Sequence, residues 1–174
     1  GVYNSGANLV WRVEKRSLSD GEISWSRTWQ PDPVADASAN EVAVDGSGVY
    51  TVGVYNSGAN LVWRVEKRSL GDGEISWSKS WQPDPVANAE ASGVAVDGSG
   101  VYTVGYYVSG GNAVWRVEKR SLSDGEISWS RTWQPDPVAD ASANEVAVDG
   151  SGVYTVGVYN SGANLVWRVE KRSL

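Results

Sequence analysis

Apolar and polar positions alternate along this chain in short runs, separated by turns rich in Gly, Asn and Asp. In the run 75–81, Ile75, Trp77, Lys79 and Trp81 share one parity, and Ser76, Ser78 and Ser80 the other. That is the period of a half-buried strand. Asp45-Gly46-Ser47-Gly48 divides a short run at Val42–Asp45 from Val49–Tyr55. Asn56-Ser57-Gly58-Ala59-Asn60 divides that run from Leu61–Arg68, and Gly71-Asp72-Gly73-Glu74 precedes Ile75–Trp81. Gly and Asn tolerate the positive φ of tight turns, so the pattern predicts four antiparallel strands. Pro83-Asp84-Pro85 follows at once; proline cannot donate to a ladder, so it marks a strand exit and a crossover. The first strand, Val94-Ala95-Val96 in the next copy, is expected to be the shortest and to lie near a central axis. The Trp-bearing strands are expected further out.

The pattern repeats. VWRVEKRSL begins at Val10, Val62, Val114 and Val166, a spacing of 52 residues. Residues 19–70 and 123–174 are identical, residues 1–18 reproduce 53–70, and residues 71–122 differ from 19–70 at 11 of 52 positions. Four strands in about 50 residues followed by a longer link describe a propeller blade. The fold class expected is therefore all-β, a β-propeller of 52-residue blades. Its units fall at 1–34 (partial blade), 35–86, 87–138 and 139–174 (partial blade).

Composition narrows the chemistry. The 174 residues include ten Trp and eight Tyr but no Phe, Met, Cys or His. Without Cys there is no disulfide or thiolate site, and without His no imidazole base. The absence of Met predicts a processed, excised or engineered chain. A net charge of −6, with acids interleaved among bases in Arg64-Val65-Glu66-Lys67-Arg68, argues against nucleic-acid binding. No apolar run is long enough to span a membrane as a helix.

DGEISWSRTW, VAVDGSGVYTVGYY and AVWRVEKRSL together resemble the seven-bladed β-propeller (SBBP) repeat of bacterial and archaeal surface and secreted proteins. The resemblance spans every repeat. It implies a secreted or cell-surface scaffold or binding module and supplies no catalytic set. The chain departs from the family in its acidic, Pro-containing crossover QPDPVADASANE and in VEKRSL, where the family has an aromatic-ending strand.

The candidate sites are modest. The Asp-Gly turns carry too few alternating carboxylates for a calcium loop and are read as hairpin turns; no metal and no cofactor is expected. Asp32, Asp36 and Glu41, with Asp136, Asp140 and Glu145, lie on the predicted crossovers. The middle copy carries Asn88, Ser92 and Gly93 in place of Asp36, Asn40 and Glu41, which argues against an acid pair and an enzyme. The Trp residues are read as packing between blades, while Tyr55, Tyr106, Tyr107 and Tyr159, beside Gly-rich loops, are expected to be exposed. Of the 11 differences, eight fall toward one face, around the crossover and the second loop. The expected ligand face therefore comprises Tyr55, Asn56, Asp36, Glu41, Tyr106, Tyr107, Tyr159, Asn160, Asp140 and Glu145.

The functional expectation is a non-enzymatic scaffold or binding module; the alternative is a carbohydrate-binding, lectin-like propeller with one site per blade. Three repeats cannot close a ring of about four to eight blades. The partner expected is a second copy of the chain or the remaining blades of a longer array. A symmetric pair makes six blades, if its partial blades merge, or eight, if they stay apart, but never seven.

Overall fold

The computed structural model describes residues 1–173; Leu174, the last residue of the fourth unit, lies outside the described residues. Among the described residues there are fourteen strands, in four antiparallel sheets, and no helix. The first sheet has three strands, β1 (Val2–Ser5), β2 (Asn8–Arg16) and β3 (Ile23–Trp29). Two complete blades follow. One comprises β4 (Ala37–Asp45), β5 (Gly48–Ser57), β6 (Asn60–Arg68) and β7 (Ile75–Trp81), the other β8 (Ala89–Asp97), β9 (Gly100–Ser109), β10 (Asn112–Arg120) and β11 (Ile127–Trp133). The last sheet holds β12 (Ala141–Asp149), β13 (Gly152–Ser161) and β14 (Asn164–Arg172). Strands pair in sequence order within every sheet, as in a meander, and the ring of blades is not closed. No helix among the described residues is long and apolar enough to cross a membrane.

The first strand of each blade differs from expectation. It has nine residues and begins at Ala37, Ala89 and Ala141, so the outer strand, with seven, is the shortest of a complete blade. A bulge lies within it, between Ala39 and Glu41 and at the equivalent places, which breaks the alternation that would have revealed the strand. Glu41 and Glu145 consequently lie within strands, not on a crossover loop.

Each junction between blades has an apolar seam. Tyr50, Val52, Trp63 and Val65 of one blade pack with Ala89, Ala91, Val94 and Val101 of the next. Tyr102, Val104, Trp115 and Val117 repeat this against Ala141, Ala143, Val146 and Val153. Trp63 and Trp115 are fully buried, as the reading of the Trp residues as packing requires. Trp77 is buried and Trp81 half-buried.

Close approach dictates two glycines. A Cβ on Gly105 would overlap the Glu90 carbonyl oxygen and press on the Trp63 ring. Gly125, at φ +74°, turns the chain beneath the Trp77 indole, where a Cβ would also collide.

Candidate functional site

The expected ligand face lies at the blade ends that carry the β5–β6 and β9–β10 turns and the crossovers. Its acids have structural partners. The Asp36 Oδ1 accepts the Leu9 amide at 2.7 Å, and the Asp36 carbonyl accepts the Asn56 amide at 2.8 Å. Asp140 does the same for the amides of Ala113 (2.7 Å) and Asn160 (2.9 Å). Asn88 holds the Leu61 amide at 2.8 Å in the same way, so the position needs an acceptor oxygen and not a charge. That accounts for the Asp-to-Asn difference between copies. Glu41 and Glu145 fold back onto the amides of Val42 (2.9 Å) and Val146 (3.0 Å), at the bulge of the first strand.

The tyrosines divide into two groups. Tyr55, Tyr107 and Tyr159 are half-buried, contrary to expectation, because each meets the edge of a Trp from the preceding blade. The ring centroids are 5.3, 5.4 and 5.2 Å from Trp29, Trp81 and Trp133. Edge-to-face pairs of this kind contribute beyond their buried area. Tyr106 belongs to the middle blade alone. Its hydroxyl donates to Glu90 at 3.1 Å, and burial, with Glu90 beside it, pushes its pKa up to about 12. Asn40 of the preceding blade reaches across to Glu90 (3.2 Å) and to the Ala91 carbonyl (2.9 Å). Asn40, Glu90 and Tyr106 thus form a polar bridge between the two complete blades. Asn56 and Asn160 sit at the ends of β5 and β13, where Asn160 also donates to Asp140 Oδ2 at 3.3 Å.

The Asp-Gly turns use their carboxylates on their own backbone. Hydrogen bonds from the Glu74 amide and the Ser69 hydroxyl hold Asp72 below the usual carboxylate range. Asp45 Oδ1 accepts the amides of Ser47 (2.7 Å) and Gly48 (3.0 Å). Among the described residues no three Asp or Glu side chains come together as a metal site.

The sequence reading missed two features. The first is a buried ionic layer. Arg64, Glu66 and Arg68 lie on one face of β6 and are all buried. The Glu66 carboxylate accepts Arg64 at 3.0 Å, Arg68 at 2.6 Å and the Thr51 hydroxyl at 3.0 Å. Burial pushes the Arg64 guanidinium down from its usual value, and Glu66 pulls the other way. Arg116, Glu118 and Arg120 repeat the layer. The alternation of charges at i, i+2 and i+4 was its only signal. The second feature is cation–π stacking across each junction: Arg64 lies 3.5 Å over Trp29, Arg116 3.8 Å over Trp81 and Arg168 3.9 Å over Trp133.

One cleft lies mostly off the expected face and shares only Glu41 with it. A cleft of about 810 Å³ lies between the amino-terminal partial blade and the first complete one. Arg12, Glu14 and Trp25 line one side, and Glu41, Val42 and Val44 the other. It occupies the place where a complete blade carries its first strand and the start of its second. A scan against protein-family models and a search of curated proteins both find no match for the chain.

Proposed function

We propose that this chain is a non-enzymatic β-propeller scaffold or binding module, of the kind its resemblance to secreted SBBP repeats implies, and that a second copy of the same repeat array completes its ring. In a longer array, neighbouring blades would take the same place. One observation carries this reading: the two ends of the chain expose opposite halves of a seam that is closed in its interior. Trp167 is 76% exposed, whereas its equivalents Trp11, Trp63 and Trp115 are fully buried. Val156 is 39% exposed where Val52 and Val104 are fully buried. At the other end Val42 is 51% exposed, against 5% for Val94 and 6% for Val146. Uncovered apolar faces beside open strand edges favour association. Identical sequence makes a second copy complementary by construction.

The non-enzymatic part rests on how the acids are used. The Asp36 and Asp140 carboxylates are tied to backbone amides of the preceding blade, and those of Glu41 and Glu145 to amides of their own, whereas two catalytic carboxylates would need separate environments that keep one protonated and one ionised. Ligand binding is assigned to the face that carries the crossovers and Tyr106, where the copies differ. A panel of glycoside, ester and peptide substrates tests this reading. We expect no turnover above buffer; turnover that is lost in Asp36→Ala and Asp140→Ala variants would overturn it.

A further inference from the structure

Resting on the assignment of ligand binding to the crossover face, we infer that a small hollow on the first complete blade is a binding site for one neutral phenol-type ring. The next blade fills the same place with its own Tyr106.

The hollow has a volume of about 180 Å³. Ser38, Val54, Asn56 and Leu61 line it, with Asp36 and Ala37 beside them and Leu9 of the preceding sheet as the far wall. Leu9 is registered with Asn4 as Leu61 is with Asn56, so the amino-terminal sheet supplies that wall in the form a complete blade would. The walls are mainly aliphatic. An apolar space of about 150 Å³ accommodates one benzene ring.

Comparison of the copies carries the inference. Of the six hollow positions that repeat 19–70 contributes, five differ in the next copy, and these are five of the 11 differences in the whole 52-residue repeat. Drift at tolerant positions would scatter over every exposed turn, yet the Asp-Gly-Ser-Gly turn carries none of them. The five changes are also coupled. Tyr106 stands in the place of Val54 and Glu90 in the place of Ser38, and the two are cross-strand partners as Val54 and Ser38 are. The Tyr106 hydroxyl donates to Glu90 at 3.1 Å, so its ring lies across that pair and is half-buried there. Ala113 replaces Leu61 on the diagonal from Tyr106, which removes most of a side chain where a ring has been added. One copy therefore holds a phenol, and the other keeps the space without one.

The lining sets the ligand chemistry. Val54 and Leu61 offer an aliphatic surface to a ring face. Ser38 Oγ donates to Asn40 Oδ1 at 3.1 Å and keeps its lone pairs to accept a phenol O–H. The Asp36 carboxylate at the rim opposes a ring that carries a negative charge. A free phenol and the side chain of a tyrosine in a peptide share this chemistry. The last sheet repeats Asp140, Ser142, Val158, Asn160 and Leu165, but there Ala113 takes the place of Leu9 and the leucine wall is missing. The chain thus has one such site.

Titration of the full chain with p-cresol, followed by NMR of isotope-labelled methyl groups, tests the inference. Saturable shifts are expected at Leu9, Val54 and Leu61, with one ring bound per chain. N-acetyltyrosinamide distinguishes the sources: shifts at the same methyls point to a tyrosine-bearing peptide, and their absence beside p-cresol binding points to a free phenol. The double variant Val54→Tyr, Leu61→Ala copies the middle blade, so it should keep its strand content by circular dichroism and lose the titration. The reverse set, Glu90→Ser, Tyr106→Val, Val108→Asn and Ala113→Leu, should raise the stoichiometry to two. If neither compound moves these methyls, or if the folded double variant binds as before, the inference is wrong, while the scaffold reading stands on its own tests of turnover and mass. Saturable shifts confined to residues away from the crossover face would overturn both this site and the assignment of ligand binding to that face.

Discussion

Replacing Glu118 with alanine is expected to destabilise the chain by about 3–5 kcal/mol, because it leaves two buried guanidinium groups without their counter-charge. Glu118 is fully buried and accepts Arg116 Nε at 2.6 Å and Arg120 Nε at 2.8 Å. Arg120 retains the Gly125 carbonyl at 3.0 Å and Arg116 retains the Trp81 face, so both cations stay in place with their charge uncompensated. The same substitution at Glu14, whose side chain is 26% exposed in the amino-terminal partial blade, should cost clearly less, because solvent screens its pairs with Arg12 and Arg16. Chemical denaturation of both variants at one protein concentration makes the comparison. Equal effects at the two sites would show that burial by the neighbouring blades is not what makes the ionic layer sensitive.

Val156→Asp should separate the assembly without unfolding the chain. Val156 is partly exposed in the single chain, so the carboxylate remains hydrated there. In a ring completed by a second copy, as proposed, it takes the place of Val52 and Val104, which are fully buried in their seams. An unpaired charge enclosed at such a position costs about 3–5 kcal/mol, and two-fold symmetry places one at each of two junctions. The association constant should therefore fall by more than about 10⁴-fold, with strand content unchanged by circular dichroism. A Val156→Asp chain that remained fully assembled would place the contact elsewhere on the surface.

The repeat, the four-strand unit and the position of the turns were legible because they depend on local signals: alternation, Asp-Gly and Asn-Ser-Gly turns, and the Pro-Asp-Pro exit. The inner strand was read too short. Ala37, Ser38, Ala39 and Asn40 have weak strand propensity, and the bulge between Ala39 and Glu41 shifts the alternation by one residue. Small residues fit there because the strand packs against the preceding blade: Ala89 and Ala91, the equivalents of Ala37 and Ala39, are fully buried in the seam with Trp63 and Val65. The ionic layer and the covering of Tyr55, Tyr107 and Tyr159 were not legible because both are created by a neighbouring blade. Nothing within one repeat distinguishes an Arg-Glu-Arg alternation on a wet edge from one enclosed between sheets. The cleft was the hardest feature to foresee. It reflects where the repeat is interrupted in space, and only the exposure of Val42 beside the burial of Val94 reveals it.

If a second copy completes the ring, as proposed, the unmodified chain associates in solution. The mass of the unmodified chain in solution, measured by light scattering across micromolar concentrations, tests it most directly. A discrete species of twice 18.6 kDa is expected. A stable, well-folded monomer of 18.6 kDa across that range would contradict it.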